Sequence, residues 1–356
     1  MKAVVKNGTE PGLSYLDVPK PTPRPNEVLI EVEAASICGT DIHYYNWDQN
    51  AKDFAGKFNV QFPFIIGHEF SGTIIAVGSD VKTRFVGQRV AIETHIPCGK
   101  CFQCENGEAH NCSNMSVYGT SCNGCFAPYA VADEKIAFVL PDAISFEEGA
   151  LLEPAGVAMR AVEEAHLQPG DTVVINGCGP IGLMAIKLAI ASGAGRVIAV
   201  DLDNYRLGLA RQFGAITFNL KECSPLDEIR KLTALRGGAD AVIELSGAAS
   251  AYRTIFDMIR LEGRIVTVGH PGGPVSINWT QNVNLKGASI KGIFGRRIWS
   301  TWHHLTSLMA AGRVDLLEVV THRFTFDQYE QAFAQIRQGA GKVLFLRDGK
   351  GDNQDA

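Results

Sequence analysis

From Asp171 to about residue 288, the chain alternates short apolar segments with amphipathic segments. The apolar segments are rich in Val, Ile and Ala, and the amphipathic segments between them have helical spacing. Strands that are apolar along their whole length are buried on both faces, and connecting helices favour a parallel sheet. The predicted strands are 172–175, 197–200, 241–244 and 264–268, and the predicted helices are 180–192 and 205–213. This part of the chain is therefore predicted to form an α/β domain with a parallel sheet.

A glycine-rich motif connects the first of these strands to the helix after it. Gly177-x-Gly179-x-x-Gly182 lies between strand and helix, the context in which this spacing binds a dinucleotide pyrophosphate at a helix N-terminus. Asp201 ends the next strand, where a carboxylate accepts hydrogen bonds from a ribose diol and repels a 2′-phosphate. This pattern favours NAD over NADP. The predicted cofactor-binding residues are Gly177, Gly179, Pro180, Ile181, Gly182, Asp201 and Arg206.

Four closely spaced cysteines form a first candidate zinc site. This four-cysteine set consists of Cys98, Cys101, Cys104 and Cys112. Four thiolates complete the tetrahedron of a structural zinc and leave no position open for a substrate. We therefore predict a structural zinc here. Cys122 and Cys125 have the spacing of a half-site but lack a partner pair, so we interpret them as incidental. Cys178 and Cys223 are expected to be packing residues.

A second candidate zinc site combines different ligand types. This mixed set consists of Cys38, in the sequence SICGTD, and His68 and Glu69, in the sequence IIGHEF. A thiolate, an imidazole and a carboxylate are typical of a catalytic zinc that keeps one position for a substrate. A lone cysteine such as Cys38 is also often a small buried apolar residue. The presence of two different zinc sites indicates an enzyme.

Composition excludes several other classes of protein. The chain has 356 residues, 46% of them hydrophobic, and a formal net charge of −5, so a nucleic-acid partner is not expected. We find no long apolar run typical of a membrane span. The N-terminal sequence MKAVVKNG is not typical of a signal peptide, and nine cysteines suit a reducing compartment, so we expect a cytoplasmic protein.

The motifs together resemble those of the zinc-containing medium-chain alcohol dehydrogenases. Gly67-His68-Glu69-x2-Gly72-x5-Gly78-x2-Val81, the sequence Cys38-Gly39-Thr40-Asp41-x-His43, the four-cysteine set and the Gly177 motif occur in the family's order. The resemblance spans essentially the whole chain. It implies a GroES-like β-rich catalytic domain, formed by residues 1–152 and 289–356, and a Rossmann NAD-binding domain at 153–288. It also places the active site in the cleft between the domains.

The resemblance assigns roles to individual residues. It implies that Cys38, His68 and Glu69 bind the catalytic zinc, and that Glu153 is a fourth ligand, either direct or through water. Thr40 and His43 match a proton relay, and a hydroxyl that leads to an imidazole suits such a role. His95 falls where some members carry an active-site histidine. The family also implies a zinc- and NAD-dependent oxidation of a small-molecule alcohol by a homotetramer or dimer.

The substrate is less tightly specified than the reaction. Segments 41–47, 290–296 and 321–324 are similar to the L-threonine 3-dehydrogenases of this family, which convert L-threonine to 2-amino-3-oxobutanoate. However, the segment from Glu153 to Arg160 carries Val157 where those enzymes usually have Asn, and it is closer to sorbitol dehydrogenases. A polyol or sugar-acid dehydrogenase is therefore the alternative. A zinc-ribbon binding protein is a further alternative, but it would not require the mixed set and a cofactor fold together.

Elsewhere the sequence predicts fewer elements. Residues 1–150 are expected to be rich in β-strands, including 28–32 and 72–77. Ile298, Trp302, Leu305 and Met309 are spaced for one face of a helix. Residues 342–346 predict a final strand, and the terminal sequence DGKGDNQDA is expected to be frayed.

Overall fold

The computed structural model describes residues 1–347, which form two compact units. The first unit contains Met1–Pro154 together with the segment that begins at Leu316, and the second contains Ala155–Asp315. These units are defined by their internal contacts. The assignment of residues 153–288 to an NAD-binding domain stays a prediction. The expected fraying of the terminal sequence DGKGDNQDA concerns positions outside the described residues. No helix in residues 1–347 has the length and apolar character needed to cross a membrane.

The elements are labelled in chain order. The strands are β1 Lys2–Lys6, β2 Ser14–Asp17, β3 Glu27–Ser36, β4 Phe64–Ile65, β5 Glu69–Val77, β6 Arg89–Ile92, β7 His95–Ile96, β8 Ser116–Val117, β9 Tyr129–Asp133, β10 Ala137–Val139, β11 Thr172–Asn176, β12 Arg196–Asp201, β13 Ile216–Asn219, β14 Ala239–Glu244, β15 Ile259–Thr267, β16 Ser289–Gly292, β17 Val320–Phe324 and β18 Lys342–Leu346. The α-helices are α1 Gly39–Asn46, α2 Gln49–Phe58, α3 Phe102–Glu105, α4 Phe146–Glu164, α5 Pro180–Ala191, α6 Asn204–Gln212, α7 Leu226–Leu232, α8 Ala251–Met258, α9 Ser300–Ala310 and α10 Tyr329–Gln338. Short 3-10 turns occur at Ala109–Asn111, Glu134–Ile136, Leu317–Val319 and Phe326–Gln328, and Thr280–Asn284 is a π-helical turn.

The first unit is built on a predominantly antiparallel sheet. Its strands follow the order β10-β6-β5-β3-β18-β17, and β9 also pairs with β3. Smaller sheets, β2-β1-β4 and β7-β8, accompany it. The core takes alternate residues of β3, Val28, Ile30 and Val32, which are fully buried. Because successive strand residues point to opposite faces, this alternation fixes which side chains of β3 face the core.

The second unit is built on a six-stranded parallel sheet with the order β13-β12-β11-β14-β15-β16. Relative to the first strand of this unit, the order is 3-2-1-4-5-6, which is the order of a Rossmann fold. β11 and β14 are buried along their whole length, as expected for central strands covered on both faces. The predicted α/β fold, with a β-rich unit and a Rossmann sheet, is confirmed.

Most predicted elements agree with the structure to within a few residues. The predicted helices 180–192 and 205–213 correspond to α5 and α6, and the predicted final strand coincides with β18. One prediction was wrong in part, because Ile298 lies before α9, whereas Trp302, Leu305 and Met309 are buried on that helix as predicted. The helices α1 and α2 were not foreseen in the segment expected to be rich in strands.

Candidate metal centres and cofactor pocket

The mixed set is assembled by the pairing of β3 with β5. Ser36, the last residue of β3, lies opposite Glu69, the first residue of β5. Cys38 follows β3 as the N-cap of α1, and His68 immediately precedes β5, so all three candidate ligands lie at one end of the strand pair. One ligand atom from each residue lies within 4.8 Å of the others. Three donors this close together suit a single ion.

The surroundings of the mixed set favour a positive charge. Burial alone would lower the pKa of His68, but the charges of Asp41 and Cys38 outweigh burial and raise the pKa to about 10. Glu69 is fully buried; its Oε2 lies 2.5 Å from Lys342 Nζ, and its Oε1 has no hydrogen-bond partner among residues 1–347. A divalent cation would neutralise these charges and satisfy the free oxygen. The residues therefore fit a zinc ion.

Glu153 lies beside the mixed set on α4. Its Oε1 accepts a hydrogen bond of 2.7 Å from Thr94 Oγ1, and both side chains are buried. The charge of Glu153 contributes to the raised pKa of His68, so the carboxylate is close to this set. It is not one of the three groups whose ligand atoms lie within 4.8 Å of one another. Direct ligation by Glu153 therefore remains a prediction.

The four-cysteine set is formed within one short segment. Cys98, Cys101, Cys104 and Cys112 have sulfur atoms within 4.8 Å of one another, with separations of 3.5 Å from Cys101 to Cys104 and 3.7 Å from Cys101 to Cys112. Four thiolates on a tetrahedral zinc, each about 2.3 Å away, are roughly 3.8 Å apart, so the observed spacing fits the ion.

Backbone amides favour the thiolate form in this segment. The amides of Cys98 and Asn114 donate to Cys112 Sγ at 3.2 and 3.3 Å. Amides of Cys104 and Ser113 lower the pKa of Cys101 to about 6, whereas burial raises the pKa of Cys112 to about 11. Because a metal binds the thiolate, the amide donors support metal binding by this set.

Two of the three predicted catalytic residues lie on one helix of the first unit, and the third lies in a strand of the same unit. Thr40 and His43 lie on α1, and the Thr40 hydroxyl lies 3.8 Å from Cys38 Sγ. His43 has two polar neighbours, Asp48 and Asn50, at the start of α2. His95 is buried in β7, and its Nδ1 lies 3.1 Å from Glu93 Oε1.

The predicted cofactor loop borders a cavity in the second unit. The cavity has a volume of about 620 Å³, and its lining includes Gly177, Gly179, Asp201 and Arg206. Gly177 has a φ of +103°, and a Cβ at Gly182 would lie 2.0 Å from Gly177 O, so both positions require glycine.

The remaining predicted cofactor residues and Cys223 complete this region. Pro180 is the first residue of α5, and Ile181 follows it, so both lie at the N-terminus that would face the phosphates. Asp201 accepts hydrogen bonds from the amides of Cys178 and Asp203 at 2.5 and 3.0 Å. Cys223 was expected to be packed, but it is exposed and lines the cavity.

Comparison with known proteins agrees with these features. The model of the alcohol dehydrogenase GroES-like domain matches residues 24–142, and that of the zinc-binding dehydrogenase matches residues 180–311. The chain is 41% identical over 348 residues to an L-threonine 3-dehydrogenase of Bacillus subtilis, with 97% of this chain and 98% of the relative covered. The chain belongs to the zinc-binding medium-chain alcohol dehydrogenase family.

Solved structures of this family share the fold along nearly the whole chain. Galactitol-1-phosphate dehydrogenase from Escherichia coli has a TM-score of 0.87 at 29% identity, with 98% of this chain and 100% of that chain covered. An alcohol dehydrogenase from E. coli CFT073, solved with NADH, has a TM-score of 0.86 at 27% identity, with 98% and 99% covered. The protein is a zinc-dependent alcohol dehydrogenase that uses NAD and acts on the CH–OH group of a small molecule.

Several residues near the mixed set in this dehydrogenase were missed in the sequence. Lys342 and Thr94 contact predicted ligands, and Asp48 and Asn50 contact His43. The only signal for Lys342 was a charged residue at the start of an otherwise apolar strand. Nothing in the sequence near Thr94 indicated that its hydroxyl meets Glu153, because the two residues are distant along the chain.

Proposed function

We propose that this dehydrogenase oxidises the 3-hydroxyl of L-threonine with NAD, giving 2-amino-3-oxobutanoate and NADH. The mixed set of Cys38, His68 and Glu69 carries the proposal, since a thiolate, an imidazole and a carboxylate this close together fit a zinc ion with a coordination position left for a substrate oxygen. The choice of threonine is supported by the full-length similarity to threonine dehydrogenases and by the matching segments 41–47, 290–296 and 321–324.

Residues of the first unit would hold the metal and the substrate. Cys38, His68 and Glu69 would bind the catalytic zinc, with Glu153 as an additional ligand, either direct or through water. A zinc bound there supplies Lewis-acid polarisation of the substrate hydroxyl, which lowers the pKa of that hydroxyl. His95, whose Nδ1 lies 3.1 Å from Glu93 Oε1, would contact the substrate. The four-cysteine set would hold the structural zinc.

The oxidation releases a hydride and a proton, and each needs an acceptor. The Gly177–Gly182 loop would hold the pyrophosphate of NAD, and the bound cofactor would supply the acceptor for the hydride from C3 of threonine. The proton leaves the hydroxyl through Thr40 and then His43, which is 39% exposed and can release the proton to water.

A polyol or sugar-acid dehydrogenase is the second candidate. The segment from Glu153 to Arg160 resembles sorbitol dehydrogenases, and Val157 cannot make the hydrogen bonds of an Asn. If a site lacks one of the polar contacts that a substrate forms in related enzymes, it selects that substrate less strongly over other alcohols. The galactitol-1-phosphate dehydrogenase among the structural relatives acts on a compound of this class.

The deciding experiment is NADH formation at 340 nm by the zinc-loaded enzyme. L-Threonine, L-serine, sorbitol, xylitol, galactitol and several aldonates would be compared by kcat/KM. Threonine should exceed every polyol. A polyol or aldonate that turns over while threonine does not would replace the proposed substrate and leave the reaction class unchanged.

Asp201 is proposed to select NAD. Asp201→Ala should weaken NAD binding by about 10-fold, because one to two kcal/mol of charge-assisted hydrogen bonding is lost, and should relax discrimination against NADP. Titration of protein fluorescence with NADH and NADPH measures both affinities. An unchanged ratio of the two would contradict the role given to Asp201.

Assembly and compartment are further proposals. The protein is proposed to be a cytoplasmic homotetramer or dimer, on the basis of the family resemblance and of cysteines that suit a reducing compartment. Light scattering coupled to size-exclusion chromatography would give the mass of the assembly and distinguish the two. A monomeric mass would refute both.

A further inference from the structure

The imidazole ring of His43 is held at both nitrogens by residues that open helix α2. His43 Nδ1 lies 2.6 Å from Asp48 Oδ2, and His43 Nε2 lies 3.3 Å from Asn50 Nδ2. Asp48 is the N-cap of α2, and Asn50 is in its first turn. The two contacts therefore come from one rigid feature of the fold.

The chemistry of these two neighbours specifies one tautomer of the ring. A carboxylate oxygen only accepts hydrogen bonds, so Nδ1 must carry a hydrogen and donate it to Asp48. An amide nitrogen only donates, so Nε2 must offer its lone pair to Asn50. Both contacts are satisfied together only by the neutral ring with its hydrogen on Nδ1.

Asp48 uses its two carboxylate oxygens for different purposes. Oδ1 accepts a hydrogen bond from the amide of Ala51 at 3.1 Å and caps α2, which leaves Oδ2 for His43. Burial would raise the pKa of Asp48, but the hydrogen bonds from His43 and Ala51 outweigh burial and lower the pKa. Asp48 is therefore ionised at neutral pH and remains an acceptor.

The ring also meets the requirement of a group that passes protons to water. The side chains of His43 and Asp48 are 39% and 40% exposed, so the pair lies at the protein surface rather than in the core. Nε2 lies 3.3 Å from the Asn50 amide nitrogen, which is a long and therefore weak hydrogen bond. A water molecule or an incoming proton can readily replace the amide at Nε2.

We propose that Asp48 is a positioning residue for proton release, which holds His43 as the Nδ1-protonated tautomer so that Nε2 is the atom that accepts the proton. This inference rests on the proton route proposed above and does not depend on the identity of the alcohol. It adds to that route the atom at which the proton arrives and the residue that keeps that atom unprotonated.

Asp48→Asn tests this directly. The Asn oxygen would keep the cap on the Ala51 amide, so the Asn nitrogen would face His43 Nδ1 and present a donor where an acceptor stood. The ring should then move its hydrogen to Nε2. Asp48→Ser would keep the cap but leave Nδ1 without its carboxylate, so a mixture of tautomers is expected. Asp53→Asn, on the exposed face of the same helix, is the matched control.

The readouts are the ¹⁵N chemical shifts of ¹⁵N-histidine-labelled holoenzyme and steady-state kinetics with the alcohol that turns over fastest. His43→Gln assigns the His43 signals by their disappearance. We expect an Nδ1–H ring in the wild type and in Asp53→Asn, and an Nε2–H ring in Asp48→Asn. The kcat of Asp48→Asn should fall by roughly 10- to 100-fold, with KM values for alcohol and NAD nearly unchanged.

Two results would overturn the inference. One is an Nε2–H ring in the wild-type enzyme. The other is a wild-type kcat in Asp48→Asn. Failure of threonine in the substrate comparison would leave this test intact, because the test uses whichever alcohol is accepted.

Discussion

The two candidate metal centres differ in how the fold supplies their ligands. The four-cysteine set comes from one short segment, so its geometry depends mainly on local turns and backbone amides. The mixed set takes Cys38 from the end of β3 and His68 and Glu69 from the start of β5, and it depends on the pairing of these distant strands. The second set is also surrounded by buried charges, whereas Cys101 and Cys104 are only partly buried.

We expect this difference to separate a stabilising site from a reactive one. A site with four thiolates and partly exposed sulfurs satisfies the ion completely and contributes folding free energy. A site with three donors of different types leaves one position of the ion at which a substrate can bind. The mutations that follow should therefore affect activity at one centre and stability at the other.

Cys38→Ser should have the largest effect. Loss of a thiolate from the mixed set removes several kcal/mol of transition-state stabilisation, so kcat/KM should fall by about 10³-fold or more. NADH affinity and melting temperature should change little, because the cofactor pocket belongs to the second unit. Steady-state kinetics and an NADH fluorescence titration test this. An active Cys38→Ser enzyme would remove Cys38 from the metal centre.

Cys101→Ala should give the opposite pattern. The free energy of unfolding should fall by about 3 kcal/mol or more because a structural zinc is lost, and the bound zinc should fall by one ion per subunit. Thermal unfolding and elemental analysis measure both quantities. Cys122→Ala, at an exposed cysteine outside the set, is the control and should match the wild type. An unchanged melting temperature and zinc content in Cys101→Ala would show that the four-cysteine set is not structural.

Lys342→Met tests the buried charges of the mixed set. Without the lysine, Glu69 is left buried and uncompensated, which should cost about 3 kcal/mol in chelator-treated protein and less once zinc is restored. Lys100→Met, at an exposed lysine within the four-cysteine segment, should cost less than about 0.5 kcal/mol. Denaturant unfolding with and without zinc gives both values. Equal costs at the two positions would refute the proposed contrast in electrostatics.

Thr94→Val should have the smallest effect. It removes the hydroxyl that donates to Glu153 and should lower stability by about 1 to 2 kcal/mol, whereas Thr94→Ser keeps the hydroxyl and most of the stability. Denaturant unfolding distinguishes the two variants. If Val and Ser behave alike, the hydrogen bond contributes little and Glu153 is held by other contacts.

Much of the fold could be predicted because its signals are local. The strands and helices from Thr172 to Gln212 follow from apolar segments and from a glycine motif that lies between a strand and a helix. The ligand types of both centres were also visible as short motifs. The helix α1 was missed because its apolar periodicity is weak, whereas α2 is amphipathic and could have been found from its sequence. Ile298 was wrongly placed on a helical face because α9 begins only at Ser300.

The contacts that tune the site could not be predicted. Lys342 reaches Glu69 only because β18 pairs with β3, and Thr94 meets Glu153 only after α4 is packed. Asp48 meets His43 because α1 ends shortly before α2 begins, at Trp47 in the left-handed region. Each of these three contacts depends on tertiary structure or on the conformation of a turn. None of them could be recognised from the spacing of residues in the sequence.

The register of β3 against β5 makes metal binding a test of correct folding. A slip of one residue would turn every side chain of the slipped strand to the opposite face, so Glu69 would point away from Cys38 and His68. A chain with misaligned strands would then lack the donors to retain the ion. Zinc uptake at the mixed set would thus discriminate correctly paired molecules from misregistered ones, and the metal would select the native alignment during maturation.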